Sequence, residues 1–176
     1  MTGLPAWHEE AIAKHHRRDS FACGEAELDT YLARHARRAA ERGAAKTYLA
    51  LTDGEPQKIL GFYSLSPASL AFSSVPEVVR RGLARHEVPV FRLARLAVDG
   101  SVQGRGLGGQ LLLAAGRRCI LAAGNVGGVA MLIDAKSDRA AGWYASHGAI
   151  PRPDKPLSLL LPFASLYAAL EVAGKL

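Results

Sequence analysis

The residues best placed to do chemistry are seven in a row, Gln103-Gly104-Arg105-Gly106-Leu107-Gly108-Gly109, four of them glycine. A backbone without Cβ can approach a ligand closely and turn successive N–H groups toward it. Leu111, Leu112, Ala114, Ala115 and Cys119 follow at the spacing of one helix face. The turn therefore opens into a helix N-terminus, whose partial positive charge suits a phosphate or pyrophosphate. A tight strand-to-helix turn that binds nothing would need fewer glycines.

The elements that must hold this turn can be read around it. Phe91 to Val98 is apolar and branched enough for a strand, broken by Asp99, Gly100 and Ser101. Upstream, Thr47 to Leu51 and Lys58 to Leu65 read as a hairpin across Asp53-Gly54-Glu55-Pro56, with an extension past Pro67. A helix is expected from Glu25 to Gly43, with acids in its first turns, arginines toward its end and Leu28, Tyr31, Leu32 and His35 as its buried stripe. Pro76 to His86 reads as a short helix. Downstream come a helix to about Gly124, a buried strand Val129 to Ile133, a helix Asp138 to His147, a strand Leu157 to Leu161 and a closing helix Phe163 to Leu170. This order predicts an α+β (mixed α/β) fold, a central twisted mixed sheet flanked by helices, in one domain spanning residues 1–176.

The bulk properties narrow the function. The chain has 176 residues, 49% of them hydrophobic and 22% charged, which is the globular class. Its apolar runs are too short for a membrane span. The first residues, MTGLPAWHEE, lack a basic-then-apolar signal, and the two cysteines, Cys23 and Cys119, suggest neither a disulfide framework nor a metal site. A cytoplasmic protein without a membrane or metal role is expected. His15-His16 has no third ligand at the usual sequence spacing. The net charge of +6 points to a polyanionic partner. Arg34, Arg38 and Arg42 share a helix face by their i, i+4, i+8 spacing, as solvated charge or as a ridge that tracks phosphates.

Two ligands fit the glycine turn. Gly104, Gly106 and Gly109 match a dinucleotide-binding pattern, with Asp134 after a later strand. Against it, Asp99 to Gln103 intervene between strand and turn, and little chain remains for further strand–helix alternation. The other pattern is Gln103-x-x-Gly106-x-Gly108 after the strand Arg95-Leu96-Ala97-Val98. It resembles the acyl-coenzyme-A motif of the Gcn5-related N-acetyltransferase (GNAT) family over about residues 20–165. The resemblance implies that backbone groups of Leu96, Ala97 and Val98 pair with the pantetheine arm. It also implies that Gln103, Gly104, Arg105, Gly106, Leu107, Gly108 and Gly109 hold the pyrophosphate of acetyl-CoA.

Phe21-x-Cys23-Gly24-x-x-x-Leu28, Gly61-Phe62-Tyr63 and Trp143-Tyr144-x-x-x-Gly148 are further similar to the acetyltransferase toxins of bacterial toxin–antitoxin pairs. Ala149 departs from that pattern, where the family more often has an aromatic. The resemblance implies acetylation of the α-amino group of aminoacyl-tRNA and arrest of translation. It also implies a ribbon-helix-helix antitoxin that binds toxin and operator DNA, and a homodimer. A generic acetyltransferase of small-molecule or protein amines, and a non-enzymatic CoA-binding module, are the alternatives.

Acetyl transfer to an amine needs a neutral amine, a stabilised oxyanion and a proton for the departing thiolate. Tyr144, protonated at neutral pH with a reference pKa of about 10, is the expected proton donor. Main-chain N–H groups near Ala97 or Val98 are the expected oxyanion donors. No base is singled out among Glu87, Asp99 and Asp134. A free α-amine titrates at about 7.7–8.0, and an adjacent ester lowers that further, so a strong base is not required. Arg34, Arg38, Arg42, Arg80, Arg81, Arg85, Arg92 and Arg95 are the expected tRNA contacts, Arg37 being a further basic neighbour. Arg92 and Arg95, three apart on a strand, face opposite sides, so at most one points toward the acceptor and the other is structural.

Overall fold

The computed structural model describes residues 3–175. Among the described residues, seven strands form one mixed sheet in the order β1-β2-β3-β4-β5-β7-β6. They are β1 (Trp7–Ala11), β2 (Lys46–Thr52), β3 (Ile59–Leu70), β4 (Val88–Val98), β5 (Ala130–Asp134), β6 (Ile150–Arg152) and β7 (Lys155–Pro162). The helices are α1 (Ala26–Thr30), α2 (Ala36–Glu41), α3 (Glu77–Arg80), α4 (Leu107–Val126), α5 (Asp138–Ala145) and α6 (Phe163–Val172). The expected hairpin is β2 and β3, antiparallel from Lys46↔Leu65 to Leu51↔Ile59. β4 and β5 are parallel, joined through α4, and β5–β7 and β6–β7 are antiparallel. This is the mixed α+β sheet that the sequence predicts.

Backbone contacts divide the chain into two compact units. One runs up to Ser66 and includes Ala94–Leu112; the other comprises Pro67–Leu93 and the chain from Leu113 onward. The first has a core of Phe21, Leu28, Tyr31, Leu32, Ala36, Leu49, Leu51, Ile59, Phe62 and Ala97. Phe21 meets Phe62 edge to face, ring centres 5.5 Å apart. The second is built on Leu70, Val75, Val88, Val90, Ala130, Leu132 and Leu160. There α4 and α6 approach closely at Gly116, where a Cβ would lie 2.4 Å from Leu166 Cδ2.

Three expectations change. The helix expected from Glu25 to Gly43 is interrupted by a π turn, Tyr31–His35, in which Ala36 N–H bonds Tyr31 O, five residues back. The extra residue in that turn rotates the rest of the helix, so Ala36 is buried and His35 is exposed. The Arg18 guanidinium donates to Leu32 O (3.3 Å) and Ala33 O (3.1 Å) within the widened turn. The helix expected over Pro76 to His86 is a single turn, and Arg81 and Arg85 lie beyond it. Two short strands, β1 and β6, were not expected. β1 lies antiparallel to β2 from Trp7↔Thr52 to Ala11↔Tyr48.

β1 also brings Glu10 to His15 and His16, one ligand atom of each within 4.8 Å of the others. His16, buried, accepts Ala13 N–H on Nδ1 (2.9 Å), so its Nε2 carries the proton facing Glu10 Oε1 at 3.1 Å. A proton already occupies the lone-pair position a metal would need. Glu10 also accepts from His8 Nε2 (2.6 Å), whose Nδ1 faces Asp53 (2.6 Å). The bond to Glu10, then that to Asp53, raises the His8 pKa above its ordinary value.

Candidate functional site

The glycine turn is tied down before it opens. Asp99, buried at the end of β4, accepts from Ser101 N (3.0 Å), Ser101 Oγ (2.6 Å) and Ala22 N (3.1 Å). Lys58 Nζ stands 3.6 Å away. Burial pushes the Asp99 carboxyl upward, but those hydrogen bonds and the Lys58 charge together hold it below the usual range. Asp99 is thus engaged as the cap of the short 3₁₀ turn Gly100–Val102. Gln103 then donates its side-chain amide to Val98 O (2.8 Å) and Cys23 O (2.7 Å), fixing the start of the turn to the end of β4.

Beyond Gln103 the backbone enters the left-handed region at Gly104 (φ +78°) and Gly106 (φ +89°). A Cβ built at either meets nothing within 4 Å, so the glycines serve conformation and leave an open cradle. α4 starts at Leu107, and Gln110 N–H bonds back to Gly106 O (3.3 Å). Leu107, Gly108 and Gly109 therefore present first-turn N–H groups, with the dipole of a 20-residue helix behind them. This cradle fits a pyrophosphate of coenzyme A. Arg105 reaches Gly3 O (3.4 Å).

β4 supplies the neighbouring edge. Its parallel register with β5 covers Phe91↔Met131 to Leu93↔Ile133, and the strand continues to Val98. Ala97 is buried in the first unit's core; Leu96 and Val98 are half-buried.

Tyr144 stands on α5, half-buried. Ser137 caps that helix by accepting Ala140 N–H (3.1 Å). The Tyr144 carbonyl accepts His147 N–H (3.0 Å) and Ala149 N–H (3.2 Å), closing the helix before Gly148 (φ +99°). The Trp143 ring lies 5.0 Å from that of Tyr144, edge on, and 4.4 Å from that of His147.

Of the other acids, Glu87 is exposed. Asp134 is ion-paired with Arg92 and accepts from Ser158 Oγ (2.8 Å). Arg34, Arg38 and Arg42 are exposed on the first unit. Arg95, in the same unit, lies with its guanidinium 3.5 Å over the Tyr31 ring. In the other unit Arg80 covers the Phe72 ring at 5.1 Å, and Arg81 and Arg85 are exposed. Tyr31, which helical spacing places in the core, also carries Arg95. A recognisable π insertion would have been the signal.

The acetyltransferase (GNAT) family model matches residues 9–149. The chain belongs to that family. Membership makes acetyl-CoA the cofactor, and the dinucleotide reading falls. The chain is 39% identical over 142 residues to a tRNA-acetylating toxin of Mycobacterium tuberculosis, covering 81% of this chain and 83% of that protein. Its fold matches AtaT complexed with acetyl-methionyl-tRNAfMet at a TM-score of 0.87, with 24% identity over 94% of this chain and 99% of that one. It also matches a Tyr-to-Phe AtaT toxin bound to acetyl-CoA and the C-terminus of the antitoxin AtaR. The TM-score there is 0.78, with 24% identity over 93% and 98% of the two chains. Among the described residues no helix is long and apolar enough to cross a membrane.

Proposed function

We propose that this acetyltransferase is the toxin of a toxin–antitoxin pair, moving acetyl from acetyl-CoA to the α-amino group of aminoacyl-tRNA and so blocking translation. The 39% identity to a tRNA-acetylating toxin across most of both chains carries this reading. The open, glycine-lined cradle at a helix N-terminus suits its cofactor. The chain acts as one acetyltransferase domain in the cytoplasm, as a homodimer, with a ribbon-helix-helix antitoxin that also engages operator DNA.

In this account the backbone of Gln103 to Gly109 holds the pyrophosphate, and Leu96 to Val98 offer a strand edge to the pantetheine arm. When bound, acetyl-CoA supplies an acetyl thioester to the attacking amine. Tyr144 holds a phenolic proton that passes to the departing sulfur, and the proton lost by the amine restores the phenol. Main-chain N–H groups at Ala97 or Val98 stabilise the oxyanion. Arg34, Arg38, Arg42, Arg80, Arg81, Arg85 and Arg95 attract the acceptor stem, whereas Arg92, ion-paired with Asp134, is the structural member of the two β4 arginines.

The test is transfer of labelled acetyl from acetyl-CoA to a charged tRNA pool, against the same pool deacylated, at two salt concentrations. Label in the charged pool only, falling as salt rises, is expected. Label on free lysine or small amines, with none on charged tRNA, would favour a generic acetyltransferase.

A further inference from the structure

The Tyr31–Arg95 pair lines a cavity of about 360 Å³, whose other walls are Ala26, Glu27, Thr30 and His35. It is built from α1, the π turn and β4, all within the first unit. Tyr31 is buried beneath the Arg95 guanidinium, and its ring lies 6.4 Å from that of His35, tilted by 36°. The π turn makes this surface. A regular helix would bury His35 with Leu28, Tyr31 and Leu32, whereas the added residue turns it out to the cavity wall. Single turns of this kind often mark functional positions. Arg95 directly precedes Leu96, the first residue assigned to the acyl arm, so the cavity adjoins the strand where the amine must react.

A guanidinium whose carbon stands 3.5 Å over an aromatic ring offers a planar, cationic platform. Unpaired bases at RNA ends are recognised by stacking on such planes. We propose that the Tyr31–Arg95 pair is the stacking platform for the 3′-terminal adenine of the aminoacyl-tRNA. This deepens the proposed function and rests on it. Arg95 thus leaves the diffuse acceptor-stem track and becomes the contact that sets the terminal nucleotide, and with it the esterified amine, beside Leu96 to Val98.

The experiment compares two acceptors carrying the same amino acid, its 3′-adenosyl ester and its methyl ester, and reads the ratio of their kcat/KM values. The wild-type protein is expected to prefer the adenosyl ester by about tenfold or more, largely through KM. Arg95→Ala and Arg95→Lys are both expected to remove most of that preference, because lysine keeps the charge and loses the plane. Tyr31→Phe keeps the ring and is expected to keep the preference, because the platform needs the ring face and not the hydroxyl. An unchanged ratio in Arg95→Ala would overturn the proposal while leaving tRNA acetylation standing, and so would full retention in Arg95→Lys. An equal loss on both esters in Arg95→Ala would overturn it in favour of a contact to the amino-acid part they share. Failure of the wild-type protein to acetylate either ester or charged tRNA would overturn the proposed function itself.

Discussion

Gly61 on β3 faces Ala97 on β4 so closely that a Cβ at Gly61 would stand 2.9 Å from the Ala97 carbonyl oxygen and 2.8 Å from Leu111 Cδ1. The backbone oxygen belongs to the strand that leads into the glycine turn and cannot move aside without disturbing it. Gly61→Ala is therefore expected to destabilise the fold by about 1–3 kcal/mol, measured by chemical denaturation. A variant as stable as the wild-type protein would show that β4 is not fixed there.

Gln103 joins Val98 and Cys23 through one amide. Gln103→Ala leaves the glycines in place and removes only this anchor. Its KM for acetyl-CoA is expected to rise about tenfold, with a smaller change in kcat. Steady-state kinetics at saturating acceptor would check the split.

Tyr144→Phe removes a hydroxyl from a half-buried ring and little packing. If the phenol gives its proton to the leaving thiolate, kcat falls about 10²- to 10⁴-fold while acetyl-CoA still binds, as calorimetry would show. Full activity in this variant would remove Tyr144 from the mechanism.

Arg34, Arg38 and Arg42 are exposed. Replacing any one of them by alanine is expected to weaken tRNA binding uniformly across tRNA species. Each replacement should also flatten the slope of log affinity against log salt by about one. Filter binding at four salt concentrations would measure it.

His8 lies between Glu10 and Asp53, and its pKa is raised in the folded chain. A raised pKa contributes stability that is fully present below the ordinary imidazole value of 6.5 and is lost as pH rises through the folded value. His8→Gln is thus expected to lower stability at pH 6 and to change it little at pH 9. A histidine titration monitored by NMR should place His8 above the ordinary imidazole value of 6.5.

Much of this molecule can be read from its residues. The β2–β3 hairpin, the β4–turn–α4 unit and the buried β5 follow from apolar runs and glycines that local chemistry explains. The rest depends on contacts distant in sequence. Spacing of 3.6 residues per turn puts His35 with Leu28, Tyr31 and Leu32. A π turn, with Arg18 bonding its carbonyls, puts Ala36 there instead. Trp7–Ala11 is polar and becomes a strand through its pairing with β2. Asp99 looks like a free acid in sequence and is a buried cap in the fold. Tyr31 reads as a core aromatic, and only the packing of β4 reveals that it supports Arg95.

The central claim, acetylation of the α-amine of charged tRNA, is tested most directly by locating the transferred group. Labelled product is isolated, its aminoacyl ester is opened by mild alkali, and the fragments are separated. We predict that the label leaves with the amino acid as an N-acetyl amino acid. Label that stays on the RNA, or is found on lysines of the protein, would contradict the account.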